Sequence, residues 1–353
     1  MSLPVAEEQP VEGGIVRRRL RDLAGRALWT LGRTRPGRTG RDRLTVVTFH
    51  RVLTEASRRQ YPYPGLAVTP GELGWFLEFF SRHYEPHTLA GALTRWQIGE
   101  AAERPLLAIT FDDGQADNYE HARPVLEQAG LRASFFVPVD HVDSGAPIWH
   151  DRLGFAVRRA LERGAAPDAD DLALAPNQRG GPARSVQALA AHAKTLDPTR
   201  REELIARYEA LAGGPIRPSW DGMMSWDQLR ELQRAGHEIG SHSLSHPILP
   251  RCADPELGRE VAESKAILEN RLQVEIASFC YPNGDHDARV VEAVRRAGYR
   301  QAVTTSGGPN RRGISLLELG RCDLVAENCA SRDGRLSEAR LAWRLSGSYP
   351  GSP

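Results

Sequence analysis

Residues 106–114 read LLAITFDDG, a six-residue run rich in apolar side chains followed by two adjacent aspartates and a glycine. An apolar run this short, closed by a turn residue, has the signature of a strand buried on both faces rather than of a helix. Two carboxylates side by side at the end of a buried strand repel one another unless a cation or a proton intervenes. Working outward, similar runs lie at 44–49 (LTVVTF), 133–138 (ASFFVP), 237–241 (HEIGS), 276–281 (IASFCY), 300–304 (RQAVT) and 321–325 (RCDLV). Helical stretches separate them, at 70–82, 118–129, 226–235, 254–271 and 286–297, and several end in the glycine expected just past a helix. Alternation of this kind predicts an α/β fold with a parallel sheet covered by helices. Seven strands without a glycine-rich nucleotide fingerprint favour a barrel.

Residues 141–225 break the rhythm. They carry helical patterns near 150–163, 185–195 and 199–212 and a Pro/Gly/Ala-rich stretch at 164–184, and read as a mostly helical insertion on the face where the strands end. The expected organisation is therefore a basic N-terminal arm over 1–43, a catalytic-type domain over 44–330 with the insertion at about 141–225, and a C-terminal tail over 331–353. Within the arm, residues 17–43 hold ten arginines against Asp22 and Asp42, with Leu20, Leu23, Ala24, Ala27, Leu28 and Leu31 at helical spacing. A basic amphipathic helix can lie on an anionic membrane surface, so peripheral membrane contact through 17–43 is one expectation; a solvated or packed arm is the other.

The formal net charge of +1 across 353 residues gives no reason to expect a nucleic-acid partner. Four cysteines without a CxxC pair argue against a disulfide scaffold or a cysteine-type structural zinc site. No run approaches the ~20 apolar residues of a membrane span. The first sixteen residues, with Glu7, Glu8 and Glu12, lack the apolar core of a secretory signal. A cytoplasmic or peripheral membrane location is expected, with an extracytoplasmic one left open.

In a parallel β/α barrel the active site is built at the carboxyl ends of the strands. The polar residues collected there are His50, Asp112 and Asp113, Asp140, His242 and His246, and Asn283 to His286. His242 and His246 sit four apart in HSLSH, a spacing that places two rings on one side of a helical turn, as in zinc-binding pairs. Two imidazoles and one carboxylate leave a coordination position open, the pattern of a catalytic zinc. Such a metal polarises an amide carbonyl and acidifies water, the second carboxylate suits a general base, and a leaving amine still needs a proton. Trp149, Trp220 and Trp226 offer faces for sugar stacking, but packing is the better reading of each.

Together ITFDDG (109–114), ASFFV (133–137) and SHSLSH (241–246) resemble the motifs of the polysaccharide deacetylases, carbohydrate esterase family 4, with their NodB homology domain. The opening VVTFHRV (46–52) is similar to the branch holding biofilm and capsule N-acetylglucosamine deacetylases. The resemblance spans roughly 44–325 apart from the insertion. It implies a distorted (β/α)7 barrel, a divalent metal, usually zinc, on Asp113, His242 and His246, and Asp112 as general base. The substrate implied is an N-acetylated glycan or glycolipid, with Tyr281, Pro282 and Asn283 near its pocket.

The pattern departs in two places. Where family members commonly carry an arginine that steadies the base, this chain reads SFCYPNG (278–284) with Cys280 at that position. The late Leu-x-His motif that supplies the proton is also missing, since 316–325 read LLELGRCDLV. His50 and His286 are candidates for that donor by placement, and His150 is a third. Two other readings stay open: a metal-dependent amidohydrolase acting on a non-sugar cyclic amide or imide, and a degenerate barrel that binds glycan without cleaving it.

Overall fold

In the sheet's longest strands, burial is continuous: every residue of Leu44–Phe49 and Leu106–Phe111 is buried. The structure, a computed structural model, describes residues 12–39, 42–99, 103–165, 182–305, 307–331 and 333–349. The strands of its main sheet are β1 (Leu44–Phe49), β2 (Glu85–His87), β3 (Leu106–Phe111), β4 (Ser134–Val137), β5 (Glu238–Ser241), β6 (Ser278–Cys280), β7 (Gln301–Val303) and β8 (Cys322–Asp323); Arg51–Val52 and Ala67–Val68 pair in a separate two-stranded sheet. All pair in parallel, in the order β8-β1-β3-β4-β5-β6-β7. The extra strand β2 pairs with the first half of β3, and β4 with the second half. All seven expected strands are present. β2 was not expected, because Glu-Pro-His carries neither apolar alternation nor β-branched residues.

Among the described residues β7 and β8 do not pair; the segment leading into β8 edges β7 instead, where Leu319 N–H donates to Ala302, its carbonyl accepts from Thr304 and the Leu316 carbonyl accepts from Ala302. The barrel is therefore distorted rather than evenly closed. Period-2 alternation divides its side chains. Leu44, Val46, Leu106, Ala108, Phe136, Cys280, Val303 and Leu319 form one buried cluster, which the helix Leu89–Gln97 joins through Leu89, Ala92, Leu93 and Trp96. The intervening residues, including Val47, Phe49, Leu107, Ile109, Phe111 and Phe135, face the surrounding helices in the main core. Further along β1 and β3 the positions in step with the first cluster become polar, as Thr48, Thr110 and Asp112. That change from apolar to polar marks the end where the site lies.

The stretch read as an insertion carries the helices Trp149–Glu162, Pro182–Thr195 and Pro198–Ala212. They bury Leu153, Val157, Leu189, Leu204, Ile205 and Tyr208 in a second core, which takes Tyr61 and Tyr63 from the segment after β1. Most of the Pro/Gly/Ala-rich stretch at 164–184 lies outside the described residues. The end of the insertion returns to the aspartate turn: Ala116 N–H donates to Gly222 and Met224 N–H to Gly114, at 2.7 and 2.9 Å.

The arm holds a helix over Glu12–Thr30 that lies against Glu338–Leu345, a helix within the stretch read as a tail. Arg340 reaches Asp22 at 2.7 Å, and a Cβ on Gly25 would stand 3.5 Å from the Trp343 ring. Leu341, Ala342 and Leu345 enter the main core, so this tail is part of the fold. Among the described residues no helix is long and apolar enough to cross a membrane.

Gly114 turns the chain directly after the aspartates with φ of 64°, and an added Cβ would meet Val137 at 3.0 Å. Gly130 has a similar φ of 66° but faces open space. Gly130→Ala should therefore cost only the left-handed backbone penalty of about 1–2 kcal/mol. Gly114→Ala should cost about 1–3 kcal/mol more from overpacking. Equal urea-unfolding free energies for the two variants would contradict this reading of the turn.

Candidate active site

Asp112 directly follows β3 and continues its pairing with β1, its N–H donating to Phe49 at 3.0 Å. Asp113 then adopts a left-handed φ of 73°, rare for a residue with a Cβ, and Gly114 follows in the same region. Two successive left-handed residues bring adjacent side chains to one pocket, although in a strand they would point apart. Both aspartates are buried, at 2% and 4% exposure.

The histidines come from the turn after β5. His242 N–H donates to Val137 at 3.0 Å, continuing the ladder beyond the strand. No helix follows: Ser243 and His246 are left-handed, at φ of 66° and 57°. The four-residue spacing brings the rings together through a tight turn, not through the helical turn expected. Glu260 of the helix Asp254–Leu272 clamps it, accepting from Leu244 N–H at 2.9 Å, Ser245 N–H at 3.0 Å and the Ser245 hydroxyl at 2.6 Å.

Within this frame His242 Nε2 lies 3.4 Å and His246 Nε2 3.3 Å from Asp113 Oδ1. His242 Nδ1 sits 2.8 Å from the Cys280 carbonyl, which can only accept, so Nδ1 carries a hydrogen and Nε2 is the nitrogen turned to Asp113. Burial lowers this imidazole, but Cys280 and Asp113 raise it well above its ordinary value. Burial pushes the His246 imidazole down to about 3, so that ring is neutral. Burial would raise the Asp113 carboxyl, but the two histidines hold it well below the usual carboxylate range. One carboxylate oxygen and two imidazole nitrogens within 4.8 Å of each other match the donor set of an open zinc site. Asp112, His242 and Cys280 form a second cluster of that size. It suits a metal less well, because both Asp112 oxygens are engaged and burial raises the Cys280 thiol, keeping it protonated.

Asp112 has an arginine partner after all. Arg321, fully buried at the entry to β8, donates from Nη1 to Asp112 Oδ1 at 2.7 Å and from Nη2 to Oδ2 at 2.6 Å. The same guanidinium reaches Thr48 and Thr110 at 3.0 Å, the Thr304 carbonyl at 2.7 Å and Cys280 Sγ at 3.2 Å. Burial alone would raise the Asp112 carboxyl, and Arg321 more than offsets it, so Asp112 is ionised. Sequence reading looked for this arginine at position 280. The available signal was an arginine at the head of the strand-like run 321–325.

A cavity of about 640 Å³ opens beside the aspartates, with His50, Tyr63, His150, Lys194, Asn283 and Asp323 among its walls. His50 Nε2 stands 3.9 Å from Asp112 Oδ2 and its Nδ1 3.8 Å from Asp323. His286 is elsewhere: it stacks on Tyr281 at 4.9 Å, bonds the Gly284 carbonyl and does not line the cavity, which corrects its candidacy as proton donor. Of the three pocket residues expected, only Asn283 lines the cavity. Tyr281 is fully buried with its hydroxyl on the Leu317 carbonyl, and Pro282 is buried too. Asp140 is exposed on the short helix Val139–Ser144. The three tryptophans pack: Trp149 under Arg201, Trp220 against Tyr61 and Phe155, and Trp226 against Arg271.

Removing one partner from a buried ion pair costs about 3–5 kcal/mol, because the other charge is left uncompensated. With metal chelated, Arg321→Met should lose that much stability. Combining it with Asp112→Asn should cost less than the sum of the single changes, by about 1–3 kcal/mol of coupling. Additive denaturant-derived energies would show that the pair does not act as a unit.

A family profile for polysaccharide deacetylase matches residues 99–302, more than half of the chain. The chain is similar to YxkH of Bacillus subtilis (strain 168), which carries a polysaccharide deacetylase name, with 21% identity over 213 residues. That match covers 60% of this chain and 49% of the relative, so the chain spans about half the length of the curated protein it matches. Among solved structures it is similar to IcaB from Ammonifex degensii (TM-score 0.55, 18% identity, covering 86% of this chain and 97% of that one). It is also similar to the Streptococcus pyogenes deacetylase PplD (TM-score 0.54, 16% identity, covering 83% and 96%). A third is BC0361, a polysaccharide deacetylase from Bacillus cereus (TM-score 0.52, 17% identity, covering 86% and 69%). At these identities the structures speak for the fold alone, the distorted β/α barrel described above. With the profile match across β3 to β7, the chain belongs to the polysaccharide deacetylase family, whose members are hydrolases of carbon–nitrogen bonds other than peptide bonds.

Proposed function

We propose that this protein is a metal-dependent hydrolase that removes N-acetyl groups from amino sugars of a polysaccharide or glycolipid. The observation that carries the reading is the pairing of two unlike carboxylates at one strand end. Asp113 faces two histidines through a single oxygen, while Asp112 is held ionised by Arg321. In this reading Asp113, His242 and His246 hold a divalent ion, with zinc the first choice for that donor set. When bound, such an ion supplies Lewis-acid polarisation of an amide carbonyl and a lowered pKa for water.

The chain's own residues supply the proton chemistry. Arg321 uses one lone pair on each Asp112 oxygen, leaving others to accept a proton from the attacking water. Attack makes the carbon–oxygen bond of acetate, the carbon–nitrogen bond breaks, and the amine leaves with the proton that Asp112 took. His50, 3.9 Å from Asp112 and on the cavity wall, is the group placed to pass that proton to the leaving nitrogen. Asn283, Tyr63 and Lys194 line the cavity where the sugar would rest. Retention of an arginine on Asp112 supports an active site over a degenerate one. The helical insertion walling the cavity supports a substrate larger than a cyclic amide.

The arm helix supports a peripheral membrane contact. Its inner face packs on Glu338–Leu345, while Leu20 and Leu23 of the helix and Leu31 just past its end stand 61–66% exposed. Arg21, Arg26 and Arg33 are exposed beside them, whereas Asp22 is engaged with Arg340. An apolar strip edged by guanidinium groups fits the surface of an anionic bilayer.

Two measurements follow. With zinc or cobalt added, the protein should release acetate from N-acetylglucosamine oligomers, and Asp112→Asn should lower the rate about 10²–10⁴-fold. No acetate, or an unchanged rate in the variant, would overturn the deacetylase reading. The combined change Leu20→Glu, Leu23→Glu and Leu31→Glu should abolish sedimentation with phosphatidylserine-containing liposomes and leave the melting temperature unchanged. Equal sedimentation would remove the membrane contact.

A further inference from the structure

Two features stand outside the chemistry of Asp112 and Asp113. One is a buried ionic cluster beneath the cavity, where Arg51, following His50 at the end of β1, is 1% exposed. Its Nε donates to Asp117 at 2.7 Å, and its Nη1 to Asp221 at 2.9 Å and Asp151 at 3.2 Å. Asp151 also accepts from the Tyr61 hydroxyl at 2.8 Å and from Gln115 at 3.0 Å. Asp117 accepts from Val52 N–H at 2.7 Å. Three carboxylates around one guanidinium are a poor source of stability, since each loses its hydration and they repel one another. Burial and that repulsion push Asp151 and Asp221 up to about 6 despite Arg51. What the cluster does achieve is registration: Arg51 and Asp117 belong to the barrel, Asp151 and Asp221 to the two ends of the insertion.

The second feature is the residue next to Asp151. His150 opens the helix Trp149–Glu162, and its carbonyl is held by the Tyr63 hydroxyl at 3.0 Å. Its ring meets Tyr63, Trp149 and His246 edge-on, the last at 5.6 Å between centroids. Its side chain is 13% exposed, and Nε2 is buried with no hydrogen-bond partner. That nitrogen lies 3.9 Å from Asp113 Oδ2, the oxygen turned away from the two histidines, and 3.6 Å from Asp151 Oδ1. Asp151 already has its own donors in place. An unpartnered buried nitrogen is costly to keep, and here it faces the carboxylate that completes the metal site.

We propose that His150 is a positioning residue for the metal centre: its Nε2, 3.9 Å from the outer oxygen of Asp113 and beyond hydrogen-bond distance here, donates to that oxygen in the metal-loaded protein, and the Arg51 cluster holds His150 in place. This rests on the metal reading of Asp113, His242 and His246. The insertion is then not only a cavity wall, because it supplies the hydrogen-bond partner that orients a ligand carboxylate. Groups in that position tune affinity by about 10–100-fold.

The test is zinc affinity of the full chain, measured by competition with a chromophoric chelator, with metal-free melting temperature as the folding control. His150→Leu, which keeps bulk and removes the donor, should weaken zinc binding about 10–100-fold. His150→Gln, which restores an N–H, should stay within about threefold of wild type. His150→Ala provides a second donor-free variant should the leucine disturb folding. His242→Ala should abolish binding and reports on the metal reading alone. Wild-type affinity in the donor-free variants, with binding lost in His242→Ala, would overturn the role of His150 and spare the triad. Gln as weak as Leu would also overturn it. A wild-type protein that binds no zinc would take down both.

Discussion

The molecule hangs on Arg321. Its guanidinium spans the polar end of the barrel, joining β1 at Thr48, β3 at Thr110 and Asp112, the segment after β7 at Thr304 and β6 at Cys280. The ring of strands is weakest near this residue, where among the described residues β7 and β8 do not pair. A buried cation that bonds across the opening both closes the barrel and keeps Asp112 charged. The interior below it is apolar and needs no such help. Fold and chemistry therefore depend on the same contact.

Much of this was legible from residues alone. Buried parallel strands announce themselves as short apolar runs, and LTVVTF and LLAITF locate β1 and β3 to the residue. Asp112, Asp113, His242 and His246 stood out because charged groups at buried strand ends need an explanation. Arg321 did not, because its partner lies 209 residues away and its place at the head of a strand-like run does not name that partner. The turn holding His242 and His246 was misread as helical, since the spacing is shared by any conformation that brings i and i+4 together. Only the left-handed Ser243 and His246, braced by Glu260, show which one is used. His286 was placed by sequence proximity to a strand end, and stacking on Tyr281 took its ring out of the cavity.

Side-chain partners separate the two clusters able to hold a metal. Asp112 and Cys280 are drawn together by Arg321, which occupies the carboxylate and touches the sulfur. Among the described residues Asp113 bonds no guanidinium, and its nearest nitrogens are the imidazoles of His242 and His246, the second of which burial keeps neutral. In this account adjacent aspartates divide the work because one meets a guanidinium and the other a histidine pair. The insertion adds its own layer, bringing His150 to the far side of Asp113 on a helix pinned by buried charge.

X-ray absorption at the zinc edge of the metal-loaded protein distinguishes these arrangements directly. Ligation by Asp113, His242 and His246 predicts a first shell of nitrogen and oxygen at about 2.0–2.2 Å with no sulfur. A zinc–sulfur distance near ~2.3 Å would place the metal on Cys280 and contradict the account.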